Sequence, residues 1–243
     1  VPEGCCQEIT NRRRGRKLSP RLKWSPDSRR IVAHRYDERN VKRLHLLEAA
    51  DGRPILHSYA YAMPGDSIIP KAEAWIFDIQ SGVSRRVGVE PQPGGFTSND
   101  TVYSVVQWTS DSKRLFYTTR SRDYKTYRLY NVNARTGQAT QVIEEVGSTY
   151  VELNQFTRYH PAWRVMGNGS ELIWWSERDG WGHLYLYDGS GNLKNRITSG
   201  AWLVTDVIHV DEDERKVYFT AVGKEEVGNP YYQYLYKINL DGS

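Results

Sequence analysis

Apolar and polar residues alternate with period two in short runs, and turn residues separate the runs. The stretch LKWSPDSRRIVAHRYD has an apolar strand ending in Trp24, a turn over Ser25 to Ser28, and a second strand from Arg30 to about Tyr36. VVQWTSDSKRLFYTTRSRD repeats that order around Trp108, with turn residues Ser110 to Ser112 and a strand from Arg114 to Thr119. HPAWRVMGNGSELIWWSERDG does so around Trp163, with a longer turn from Met166 to Ser170. DVIHVDEDERKVYFTAVGKE is a weaker fourth copy with His209 in the tryptophan's place. Each copy continues into a third strand of alternating aromatic and apolar residues, then a glycine-containing turn and a fourth strand; the last copy, YLYKINLDGS, stops at its turn. Tyr, Trp, Val and Ile dominate these runs, as half-buried strands require, and no stretch sustains a 3.6-residue apolar period.

Four four-stranded units at irregular spacing predict an all-β fold, a partial β-propeller of about four blades belonging to a larger propeller. The blades span approximately residues 20–90, 101–146, 158–200 and 201–243, after a basic lead-in over 1–19. The first carries an insertion from about Glu38 to Lys71, and insertions between blade strands project onto one face, where binding occurs. Trp24, Trp108 and Trp163 are expected to pack between sheets. An unclosed array leaves edges and apolar faces exposed, which favours dimerisation.

Composition narrows the function classes. Of 243 residues, 39% are hydrophobic, which excludes a disordered chain, and no apolar run approaches the roughly 20 residues of a membrane span. The start has no apolar signal core and begins at Val, so the chain looks like an internal excerpt. Cys5 and Cys6 are adjacent and supply neither a disulfide framework nor metal-ligand spacing. Much of the net charge of +4 sits in Arg12, Arg13, Arg14, Arg16 and Lys17, with no groove-reading helix or stacking aromatics beside them, so nucleic acid is not an expected partner.

The chemistry-bearing residues do not converge. Gly-x-Ser-x-Gly is absent, and neither Ser67 nor Ser190 has the spacing of a nucleophile elbow. His34, His45, His57, His160, His183 and His209 form no metal pair. Glu144-Glu145 and Glu225-Glu226 are adjacent, so in a strand they point to opposite faces. The expectation is no catalytic residue, no metal and no cofactor in this chain. In SERDGWGHLYLY the glycines serve a tight turn, and His183 is an early third-strand residue that orders the hairpin.

One stretch carries a resemblance. Ser176, Asp179-Gly180-Trp181, His183, Ile197-Thr198-Ser199-Gly200 with Trp202, and Leu235-Tyr236-Lys237-Ile238 follow one another as in the dipeptidyl peptidase IV family, and WSPDSRRIVAHRYDE with IIPKAEA and IFDIQSG resembles an earlier part of it. The resemblance covers roughly residues 20 to 243. It implies an eight-bladed propeller that gates entry to a C-terminal α/β-hydrolase domain, absent here, which holds the serine nucleophile. It also implies a peptide substrate met through the full-length enzyme, the protein's own hydrolase domain as partner, homodimerisation, and a periplasmic or cell-surface location. Phe156 and Arg158 are the substrate-binding residues it implies, with Arg158 one place from the family position. The family's glutamate pair for the substrate amine has no match before Trp24, where only Glu8 and the basic run stand, so that pair lies upstream or is lost. The family's Pro-Lys-Ala-Gly appears as Pro70-Lys71-Ala72-Glu73. The rival is a stand-alone periplasmic Tol-type propeller that binds proteins; a complete four-bladed sugar-binding propeller or glycosidase fits less well, since the carboxylates do not converge.

Overall fold

The computed structural model describes residues 10–11, 16–17, 22–49, 52–93, 105–152, 163–226 and 228–243. A two-residue pairing of β1 (Thr10–Asn11) with β2 (Arg16–Lys17) precedes four successive antiparallel sheets. The first runs β3 (Leu22–Trp24), β4 (Arg30–Asp37), β7 (Lys71–Asp78) and β8 (Ser84–Arg86), with β9 (Gln92–Pro93) also on β7; its insertion forms a separate hairpin of β5 (Arg43–Glu48) and β6 (Ile55–Ala60). The second is β10 (Val106–Trp108), β11 (Arg114–Arg120), β12 (Thr126–Asn133) and β13 (Ala139–Val146). The third is β14 (Arg164–Met166), β15 (Glu171–Ser176), β16 (His183–Asp188) and β17 (Leu193–Arg196). The fourth has three strands, β18 (Leu203–Asp211), β19 (Lys216–Val222) and β20 (Tyr234–Asn239). This is the architecture of propeller blades, each sheet buried against the next.

Local chemistry explains the first turn of the first two sheets. Ser25 Oγ donates to Asp27 Oδ1 at 2.6 Å and accepts the Arg30 N–H at 2.9 Å, which closes the turn with Ser28 at φ +58°. Thr109 and Asp111 reproduce it at 2.7 Å, with Arg114 N–H on Thr109 at 3.1 Å and Ser112 at φ +59°. Short hydroxyl and carboxylate side chains satisfy the turn amides that no ladder reaches.

Three kinds of contact then join sheet to sheet. On the inner strands, Lys23 Nζ donates to Val106 O at 2.5 Å, Gln107 Nε2 to Trp163 O at 2.5 Å, and Arg164 to Val207 O. At the first turns, Asp27 N–H donates to Ser112 Oγ at 3.0 Å, Asp111 N–H to Asn168 Oδ1 at 3.1 Å, and Gly167 N–H to Glu212 at 2.8 Å. At the turns before the outer strands, Gly137 sits on the Arg86 carbonyl, Gly191 on the Val142 carbonyl and Gly242 on the Arg196 carbonyl. All three glycines have φ between +76° and +91°, and each touches the outer strand of the preceding sheet.

Apolar packing fills the seams. In β15 and β16 nearly every residue is buried, because both faces of the third sheet are covered. Trp174 and Trp175 show it: Trp174 Nε1 donates back to Glu145 at 2.6 Å, and Trp175 Nε1 donates forward to Val204 O at 2.9 Å. Successive strand residues face opposite sides, so two adjacent tryptophans anchor two different neighbours. His183, 1% exposed, locks the same region. Its Nε2–H donates to Gly200 O at 2.9 Å, so Nδ1 accepts from the Thr198 hydroxyl at 3.0 Å, while the ring meets Trp202 edge-on at 4.9 Å.

Two expectations about the tryptophans need correction. Trp24 is 49% exposed; it lies on the face of the first sheet against which no described sheet packs. Trp163 is buried but does not occupy the repeat position of Trp24 and Trp108. Its carbonyl receives Gln107 as the Val106 carbonyl receives Lys23, which makes Val165 the counterpart of Trp108. The longer tryptophan simply fills the seam from two residues earlier.

Replacing Gly191 by Ala drives a Cβ into the Val142 carbonyl at positive φ and should lower folding stability by roughly 2–4 kcal/mol. Gly180→Ala, also at positive φ but with open space around it, should cost about 1 kcal/mol. Urea unfolding of both variants checks the contrast; equal losses contradict it. Burial brings His34 down to about 4 and pulls His183 below its ordinary value. The unfolded chain therefore binds more protons than the folded one between about pH 4 and 6.5, so stability is full above pH 6.5 and falls as pH drops, by on the order of 3 kcal/mol for His34. Urea midpoints at pH 7.5 and 4.5 measure this, and His34→Gln should flatten the slope.

Candidate functional site

Strand order divides the molecule into two unlike ends. With strands in sequence and antiparallel, the first-to-second and third-to-fourth turns of every sheet fall at one end. The second-to-third turns and the connections between sheets fall at the other. The first end carries the short turns clipped to one another, including Asn168 of the Asn168-Gly169-Ser170 sequon, whose Oδ1 is held by Ser110 and Asp111. Among the described residues, the second carries the insertion with its β5–β6 hairpin, the turns at 121–125 and 177–182, and the start of the connection from β13 to β14. Phe156 and Arg158 belong to that connection and lie outside the described residues.

Beside the connection a polar cluster bridges the second and third sheets. Glu145 leaves β13 on the face opposite its neighbour Glu144, which pairs outward with Arg128 at 2.7 Å. Glu145 accepts from Trp174 Nε1, from Ser176 Oγ at 2.5 Å and from Arg178 Nη2 at 3.2 Å. The Arg178 guanidinium also donates to Ser176 Oγ through Nε at 3.0 Å and lies 4.5 Å over the Tyr185 ring. Tyr185 Oη donates to Asp179 at 2.6 Å, and Asp179 pairs with Arg196 at 2.8 Å. Glu177 stands near Glu145 and Glu152; partial burial, then those two charges, push its carboxyl above the ordinary range.

This cluster contains serine, histidine and glutamate in proximity without forming a nucleophilic triad. Ser176 and His183 are ladder partners on β15 and β16. Yet Ser176 Oγ gives its proton to Glu145, and both His183 nitrogens are committed to Thr198 and Gly200. A base must reach the hydroxyl proton it removes, and here the hydrogen bonds run apart. These hydrogen bonds fix the geometry of that end of the sheets. Among the described residues no group of three or more His, Cys, Asp or Glu is placed to hold a metal.

Further along the same end, the foot of the insertion meets the turn at 121–125. Lys42 pairs with Asp66 at 2.7 Å, and Arg122 donates to the Asp66 carbonyl at 2.9 Å. Between them opens a groove of about 800 Å³ lined by Leu44, Leu46, Tyr59, Tyr61, Ala62, Met63, Pro64 and Arg122. On its other side the turn is tied to the β13–β14 connection, with Gly147 N–H on Lys125 O at 2.9 Å and Val151 N–H on Tyr124 O at 2.8 Å. Arg178, Tyr124 and Tyr150 carry no motif, and Glu145 is marked in the sequence only as half of an adjacent acidic pair. The parity of the repeat was the available signal, since it assigns every second turn to one end.

Residues 19–243 match the family model described as dipeptidyl peptidase IV (DPP IV) N-terminal region. The chain is 24% identical over 259 residues to the protein named probable dipeptidyl-aminopeptidase B of Colletotrichum graminicola, covering 100% of this chain and 23% of that one. It is 28% identical over 128 residues to dipeptidyl peptidase 4 of Arthroderma otae, covering 52% of this chain and 16% of that one. The crystal structure of Porphyromonas gingivalis dipeptidyl peptidase 4 superposes with a TM-score of 0.73 at 22% identity, over 93% of this chain and 30% of that one, a likeness of fold. The chain thus spans less than a third of the length of each of these relatives. With its successive antiparallel sheets and a family match running from residue 19 to residue 243, the chain belongs to the dipeptidyl peptidase IV N-terminal region family.

Proposed function

We propose that this chain is the non-catalytic propeller region of a dipeptidyl-peptidase-IV-like serine peptidase, periplasmic or at the cell surface. It gates access to a hydrolase domain and contributes substrate subsites, Phe156 and Arg158 among them. The observation that carries the reading is that the insertion and the longer turns among the described residues lie at one end of the sheets, opposite an end of short clipped turns. Such an end suits a face that covers a catalytic domain and meets its substrate. The Ser176–His183–Glu145 geometry supports placing the nucleophile elsewhere. The two outer faces of the sheet stack support a propeller of more blades: Trp24 and Phe77 are exposed on the first sheet, with Ile79 and Val83 in the turn after β7, and Ile208 and Leu235 on the last.

The isolated 243 residues should show no turnover of Xaa-Pro or Xaa-Ala chromogenic dipeptides. The full-length protein should cleave them and lose that activity to a serine-directed phosphonate. Phosphonate-sensitive turnover by the isolated chain would falsify the assignment, as would a full-length protein inert to both substrates.

The insertion supports a homodimer. On its hairpin Leu47 and Leu56 are paired across the strands and are 66% and 62% exposed, with Ile55 at 56%. A two-stranded ribbon carrying large apolar residues and two unpaired edges is stable only against something else. Sedimentation of the full-length protein should give a dimer, and Leu47→Lys with Leu56→Lys should shift it to monomer. A wild-type monomer, or a double variant that stays dimeric, counts against this contact.

A further inference from the structure

The second-to-third turns of the second and third sheets have the same backbone and different residues. Ser121-Arg122-Asp123-Tyr124 closes with Tyr124 N–H on Ser121 O at 3.1 Å, and Glu177-Arg178-Asp179-Gly180 with Gly180 N–H on Glu177 O at 2.8 Å. Gly180 has φ +88°, a conformation open to glycine, whereas Tyr124 holds φ +58° with a full aromatic side chain. The other described non-glycine residues at positive φ are Ser28, Asn40, Ser112, Asn168 and Arg215, none of them aromatic. Retaining a ring where the chain favours glycine points to a use for the ring.

Architecture does not supply that use. The turn is already joined to the β13–β14 connection by backbone bonds from Gly147 and Val151. The Tyr124 ring instead stacks on Tyr150, with centroids 5.4 Å apart and planes at 23°, and the Arg120 guanidinium lies 4.5 Å over the Tyr124 ring. The Arg120 backbone is held on β11, where its main-chain N–H donates to Gln92 Oε1 at 2.7 Å. The result is a stack of guanidinium and two rings whose last member, Tyr150, is 50% exposed at the end of the sheets that carries the long connections.

We propose that the Tyr124–Tyr150 stack is a peptide subsite that takes a ring-bearing side chain, proline or aromatic, of the substrate. This rests on the peptidase reading above. A flat, preorganised π face favours another ring over a flexible aliphatic chain, because little side-chain freedom remains to be lost on contact.

The test uses the full-length protein and pairs of tetrapeptides that differ only in having proline or phenylalanine against alanine at one position, scanned along the peptide. At one position the ring-to-alanine ratio of kcat/KM should favour the ring, and Tyr150→Ala should lower that ratio about fivefold through KM. Tyr150→Phe should preserve it. Tyr124→Gly, which suits the backbone, should lower it while leaving the thermal midpoint within a few degrees. A ratio unchanged in Tyr150→Ala, or lost equally in Tyr150→Phe, overturns the proposal. If the wild-type protein turns over no peptide, the peptidase reading fails first. Fluorescence titration with the same tetrapeptides then decides the subsite: ring-selective binding lost in Tyr150→Ala sustains it, and its absence overturns it.

Discussion

The side chains that cross from one inner strand to the next are the contacts on which the arrangement of sheets depends. An inner strand is three residues long in the first three sheets and pairs on one side only, so its own ladder holds it weakly. Lys23, Gln107 and Arg164 each span the seam to a carbonyl of the following strand and set the offset between sheets. The first-turn clips and the glycines under the outer strands act at larger radius, so each seam is fixed at three separated places. Burial then follows. A sheet held on both sides, as the third is, turns Trp174 and Trp175 to opposite neighbours with both indole N–H groups satisfied.

That dependence explains how much was legible in the chain. Strand periods, turn residues and the fourfold repeat are local, and the sheets form where Trp24, Trp108 and the glycine turns place them. His183 was legible as a third-strand residue that orders its surroundings, though not its partners Thr198 and Gly200. The bridges and clips of the seams were not legible, because they join residues 43 to 85 positions apart: Arg164 with Val207, Gly167 with Glu212, Lys23 with Val106, Asp27 with Ser112. Nothing local marks a lysine as a bridge or a tryptophan as displaced by two residues. Trp163 and Val165 exchange roles because the seam asks for volume, and a longer side chain supplies it from a shifted position.

The candidate site was legible in part for the same reason. Parity of the repeat places the insertion and the turn at 177–182 at one end without any contact being known. The sequence shows that Glu144 and Glu145 part to opposite faces, but not that Glu145 is the one turned into the seam, where it gathers Trp174, Ser176 and Arg178. Nor does the sequence separate Tyr124 from Gly180, two residues in matching turns with opposite claims on the backbone.

The inner-strand bridges also carry an electrostatic cost that limits how they extend. Burial, with the Arg164 charge adding to it, brings the Lys23 ammonium down to about 8, and Arg164 is likewise held below its ordinary value by burial. Two desolvated cations near one another are tolerated because each gives its protons to carbonyls. A third cation in the next position would raise the cost again. The residue after Val207, in the place that follows Lys23, Gln107 and Arg164, is Ile208, apolar and half exposed. The bridge pattern therefore ends with the fourth sheet, which presents an apolar side chain where the first three sheets present a donor.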